Sequence, residues 1–120
     1  MPSAAAMQGS GVSYRHLVNE IRTAARMTAA ELADLTGVKE RQVQNWAAGS
    51  SRPADETRDR LVDVHYVIQQ LSGIYLPEGV EIWLHGRNRG LDGERPIDLL
   101  RRGDFERVIR EVESLNSGGM

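Results

Sequence analysis

An all-α fold is predicted for this 120-residue chain on three observations: apolar residues recur at steps of three and four, no stretch alternates with period two over strand length, and helix start and stop signals punctuate the repeat. The expected architecture is an N-terminal helix-turn-helix bundle over 13–60 and a small helical C-terminal domain over 61–116. A disordered arm at 1–12 and a flexible tail at 117–120 flank them.

Tyr14, Leu17, Val18, Ile21 and Ala25 form the stripe of an amphipathic helix, which predicts a first helix from Ser13 to about Met27. Thr28 and Glu31 make a Thr-x-x-Glu capping box, so a second helix starts there. It carries Leu32, Ala33 and Leu35 and stops at Gly37, where a positive φ allows a tight turn. A third helix turns Val43 and Trp46 inward and ends near Gly49. A small residue at Ala33, a turn at Gly37, and Val38, Val43 and Trp46 filling the angle make a helix-turn-helix.

With Val43 and Trp46 inside, a 100° step per residue places Arg41, Gln44 and Asn45 outward, flanked by Glu40 and Gln42. With Lys39 at the helix start, these six are the candidate DNA-contacting residues. An arginine can fork onto guanine and an asparagine onto adenine, and Glu40 would narrow the choice towards cytosine. Lys39 stands where a capping acceptor is usual; a cation near the helix's positive end makes sense beside a phosphate. The competing reading is a helical hairpin with a solvated polar face.

After Pro53, Ala54 or Asp55 starts a fourth helix with Leu61, Val64, Ile68, Leu71 and Tyr75 along its seam, expected to be the longest. Val67 and Ile74 widen that face beyond what one small neighbour covers, so it is expected to join the two domains, with plain core as its first role and a dimer contact as the alternative. Gly73 or Pro77 punctuates it, and Val80, Trp83 and Leu84 suggest a short fifth helix. The segment from His85 to Arg95 carries three arginines and Asn88 and buries little. Pro96 then suits a first helical turn, Ile97 and Leu100 share a face, and Gly103 can close the helix left-handed. In the last helix Asp104 caps, Phe105, Val108, Ile109, Val112 and Leu115 form the stripe, and Glu106–Arg110 and Arg107–Glu111 pair at i, i+4.

Composition excludes several classes of function. The chain has no cysteine, so disulfide and thiolate chemistry are out. His16, His65 and His85 are far apart in sequence and show no metal-ligand spacing, so neither a metal nor a cofactor is expected. No apolar run could span a bilayer, and the uncharged first residues do not read as a signal peptide; the expected location is the cytoplasm. The net charge of −2 argues against a protein that simply coats nucleic acid. Residues 13–60 carry eight basic and seven acidic side chains, and 61–120 carry seven and ten, so the acidic excess lies in the C-terminal half. No Ser or Cys sits beside a base in a strained turn and no Gly-rich phosphate loop follows a strand, so no enzyme is expected.

The ordered set Trp83, Leu84, Asn88, Leu91, Gly93, Pro96, Leu99, Leu100 and Gly103 resembles the C-terminal toxin-binding region of the Xre/MbcA/ParS antitoxins. Arg95 departs from it, standing where a capping Ser or Thr is more usual. Upstream, Trp46, Gly49 and Pro53 resemble the Xre or Cro/repressor class, as that antitoxin family requires. The resemblance implies an antitoxin that occludes a RES-domain, NAD-consuming toxin and represses its own operon, as a homodimer, through operator DNA. The toxin-binding residues it implies are Trp83, Arg87, Asn88, Arg89, Leu91, Arg95, Arg101 and Arg102. The acidic half would complement the cationic cleft of an enzyme that holds an anionic dinucleotide, with Arg87 and Arg89 meeting its carboxylates. The alternatives are a stand-alone helix-turn-helix regulator whose C-terminal half only dimerises, or an antitoxin whose helix-turn-helix has lost DNA affinity.

Overall fold

The computed structural model describes residues 11–117, with the side chains of 11–13 left out. Among them are seven α-helices and one 3₁₀ turn: α1 (Gly11–Ala25), α2 (Ala29–Thr36), α3 (Glu40–Ala48), α4 (Asp55–Ser72), α5 (Pro77–His85), η1 (Arg89–Leu91), α6 (Pro96–Arg101) and α7 (Phe105–Asn116). No strand occurs among the described residues beyond an isolated antiparallel bridge between Asn88 and Glu94. The all-α expectation holds. Of the expected arm, residues 1–10 lie outside the described part, and Gly11 and Val12 already belong to α1. Of the expected tail, 118–120 lie outside it, and Ser117 closes α7 by donating its N–H to Glu113 O at 2.9 Å.

The helix-turn-helix forms as its signals dictate. Thr28 Oγ1 accepts from Glu31 N at 3.0 Å and Glu31 Oε1 accepts from Thr28 N at 3.2 Å, completing the capping box. Gly37 takes φ +77°, so the turn needs glycine for its conformation, and a Cβ there would lie 3.1 Å from the flexible tip of Arg60. Helix α1 ends before the expected Met27 because Arg26 adopts φ +52°, a left-handed stop that no glycine announces. Its Arg22 side chain then donates to Met27 O at 3.2 Å.

Helix α4 is the longest, and it is the beam between the halves. It packs against α1 and α2 of the first half and α5 and α7 of the second. Its buried Leu61, Val64, Val67, Ile68 and Leu71 belong to one core that runs from Val18 to Val112. The expected boundary at residue 60 thus falls inside a helix whose apolar side serves both halves. Tyr75 lies beyond the end of α4, against Gly79 of α5, and Ile74 is exposed. In α6, Pro96 starts the helix, Ile97 and Leu100 are buried, and Gly103 follows it at φ +87°.

Two expectations for α7 are corrected. Asp104 stands at the N-cap position but makes no capping bond; its carboxylate faces Arg107 Nη1 at 3.5 Å. Arg107 turns away from Glu111 towards Asp92, Glu94 and Asp104, whereas Arg110 meets Glu106 at 3.4 Å as expected. No described helix is long and apolar enough to cross a membrane.

Candidate functional site

Two faces carry the candidate residues. On α3, Val43 and Trp46 are buried, and Lys39, Glu40, Arg41, Gln42, Gln44 and Asn45 are all exposed, as a 100° step requires. Gln42 Oε1 accepts from Lys39 N at 3.2 Å, which caps the helix start in place of the lysine side chain, since an ammonium has no acceptor. Gln44 donates to Glu40 Oε2 at 3.3 Å. Arg41 and Asn45 direct their side chains to no partner among the described residues. The face is a row of donors and acceptors on a rigid helix.

The second face is the loop between α5 and α6 with the ends of the helices around it. Asn88 organises it. Its Oδ1 accepts from Gly90 N at 2.8 Å, its carbonyl accepts from Leu91 N at 3.0 Å and Gly93 N at 2.9 Å, and its N–H donates to Glu94 O at 3.0 Å. Asp92 (φ +59°) and Gly93 (φ +80°) complete the reversal. Asparagine fits here because a short amide can bond the backbone two residues on, mimicking a turn. Leu91 is 2% exposed and plugs the turn into the core, supporting the face from beneath. Trp83 is half-buried against the core.

The arginines divide. Arg95 forks onto Asp98 (Nε to Oδ2 2.8 Å, Nη2 to Oδ1 3.0 Å), and Arg101 reaches the same carboxylate at 2.9 Å and Asp34 of α2 at 4.0 Å. The Arg95 fork, with Arg101 adding to it, holds the Asp98 carboxyl below its ordinary value. Arg102 meets Glu94 at 3.0 Å, and Arg87 donates to Gly93 O at 3.1 Å. Arg89, exposed at the head of η1, has no partner among the described residues. Arg95 thus makes no capping bond and instead ties the residue before α6 to Asp98 in the helix's first turn.

Sequence reasoning missed three features. Arg107, a hub for Asp92, Glu94 and Asp104, could not be found from i, i+4 spacing because its partners lie on other elements. Ile82 is 71% exposed, and there a signal existed: with Val80 and Leu84 inside, the residue midway between them faces out. The third is the tie between the two faces. His85 Nε2, at the end of α5, donates to Glu31 Oε2 at 3.1 Å, the carboxylate that also caps α2, and Arg26 meets Glu81 at 3.3 Å.

Comparison with known proteins fits this layout. Residues 76–118 match the family model described as the antitoxin Xre/MbcA/ParS C-terminal toxin-binding domain. The chain is 39% identical over 92 residues to a probable mycobacterial cidal antitoxin, Rv3188, of Mycobacterium tuberculosis, covering 77% of this chain and 78% of that protein. It is 28% identical over 92 residues to the mycobacterial cidal antitoxin MbcA of Mycobacterium bovis, covering 77% and 81%. The fold matches a chain in the crystal structure of the M. tuberculosis MbcT–MbcA toxin–antitoxin complex with TM-score 0.76 and 25% identity, over 88% of this chain and 96% of that one. Helix α5, the Asn88-centred loop, α6 and α7 therefore make up the matched C-terminal unit, and the chain is an antitoxin of the Xre/MbcA/ParS family.

Proposed function

We propose that this antitoxin binds and occludes a RES-domain toxin that consumes NAD, and represses its own operon as a homodimer through α3. The observation that carries the first part is the preformed loop. Its backbone is fixed by Asn88 before any partner arrives, so little ordering cost falls on binding, and Arg87 and Arg89 stand exposed on it. Arg95, Arg101 and Arg102 border the same face, with Trp83 at its edge and Leu91 beneath. Family membership favours this reading over a stand-alone regulator. The division into a DNA-binding part and a toxin-binding part is one of surfaces, carried on a shared core.

Shared packing decides the experiment. A chain cut at Leu76 would lose eight apolar core residues, from Val80 to Val112, and its failure to protect would report unfolding. The full chain is the right reagent. Purified toxin from the same operon is expected to consume NAD, and a stoichiometric amount of the full chain to stop it; undiminished NAD loss with the chain in excess would end the occlusion reading.

A further inference from the structure

Charged side chains from Arg87 to Asn116 are almost completely matched. Asp92, Glu94, Asp98, Asp104 and Glu106 each meet an arginine, Glu113 accepts from Tyr66 at 2.8 Å, and Arg87 holds a carbonyl. Two groups break the pattern among the described residues: Arg89 and Glu111. They are neighbours across the loop. Gly90, next to Arg89, lies so close to α7 that a Cβ on it would collide with the Glu111 carboxylate. Glu111 is half-buried as a residue and lies beside a hollow of about 180 Å³ between the loop and α7, lined by Gly90, Leu91, Asp92, Arg107, Arg110 and Glu111.

A half-buried glutamate whose carboxylate meets no donor in the chain keeps its acceptors for water or a partner. Arg107 is engaged with three carboxylates and Arg110 with Glu106. The charged lining of the hollow is Asp92 and Glu111 against Arg107 and Arg110, and since both guanidiniums are already engaged, the Glu111 carboxylate is the lining charge left for a cation.

We propose that this hollow receives an arginine side chain of the toxin, whose guanidinium forks onto Glu111, while Arg89 on the rim takes a carboxylate of the same partner. The inference rests on the toxin-binding reading above and names the chemistry of its contact. A planar fork suits a carboxylate held in one orientation against Gly90, and an adjacent free charge of opposite sign fixes the partner's register. The close approach at Gly90 leaves the carboxylate no room to retreat under the loop.

The test measures affinity of the full-length chain for the toxin of its own operon, by calorimetry, for wild type, Glu111→Gln and the control Glu106→Gln. Glu106 is on the same helix, is exposed and is already paired with Arg110. Because Glu111 makes no bond in the free chain, Glu111→Gln is expected to melt where wild type does, and to bind about tenfold more weakly, the loss expected for one charge-assisted hydrogen bond. A loss no greater than that of Glu106→Gln overturns the inference and leaves the toxin-binding reading standing. Failure of the wild-type chain to bind the toxin overturns both. Charge reversal gives an independent readout: Glu111→Arg binding should be restored by Arg→Glu at one toxin position, and a toxin surface-arginine scan without such a position also overturns the inference.

Discussion

The α3 face and the α5–α6 loop are both exposed and both polar, yet they use their charges in opposite ways. On α3 the backbone is satisfied by the helix itself, so Lys39 and Arg41 hold nothing in place with their side chains. In the loop there is no such ladder, and the side chains must supply order: Asn88 closes the turn, Arg87 holds a carbonyl, and Arg102 and Arg107 brace Glu94 and Asp92. Arg41, exposed on α3 without an internal partner, is therefore available to a partner as it stands. An exposed arginine in a loop is available only after the loop has been built, which is why Arg89 stands apart from its neighbours.

If the loop is a built part of the core, breaking its plug should cost as much as breaking the helix-turn-helix. Leu91→Ala removes a side chain that is 2% exposed, and is expected to destabilise the chain by about 2–5 kcal/mol, the range for a buried leucine. Chemical denaturation measures it. A cost within about 0.5 kcal/mol, the range of a surface change, would make the loop an appendage and erase the contrast.

How much of this was legible in the sequence follows the same division. The helix-turn-helix was readable because its determinants are local: Thr28 with Glu31, Gly37, and the inward Val43 and Trp46 all act within a few residues of themselves. The loop's backbone was partly readable through Pro96 and Gly103. Its charges were not, because Arg102 pairs with Glu94 and Arg107 with Asp92, across turns whose closure only the fold decides. Spacing is also silent on one meeting of histidines: His16 and His65 converge on the two oxygens of Glu20, at 3.3 and 2.7 Å, despite their separation in sequence. Arg26 shows the remaining limit, since a left-handed arginine has no local signature.

The converse prediction concerns α3. Arg41→Ala removes a side chain with no internal partner, so stability is expected to stay within about 0.5 kcal/mol of wild type. Binding to a duplex carrying the operon's promoter should weaken by about 1–3 kcal/mol if Arg41 reads a guanine. Chemical denaturation checks the first expectation and fluorescence anisotropy at fixed salt the second. Equal affinity for the two chains removes Arg41 from the reading face, and a large stability loss removes the contrast with the loop.

The smallest expected effect sharpens the comparison where charge serves structure. Asp98 is held below its ordinary value of 3.8, first by its bond to Arg95 and further by Arg101. A depressed folded-state value means that the folded chain binds its proton less readily than the unfolded chain, so the stabilisation is fully present above 3.8 and fades as pH falls through the lower folded value. Because the pair is partly solvated, its whole contribution is expected to be no more than about 1 kcal/mol. Wild type should therefore exceed Asp98→Asn in denaturation midpoint near neutral pH, and the gap should narrow once pH drops below 3.8. A gap that stays constant from neutral to acid pH would mean that Arg95 and Arg101 do not fasten α6 through this carboxylate, and would return both arginines to the set available to a partner.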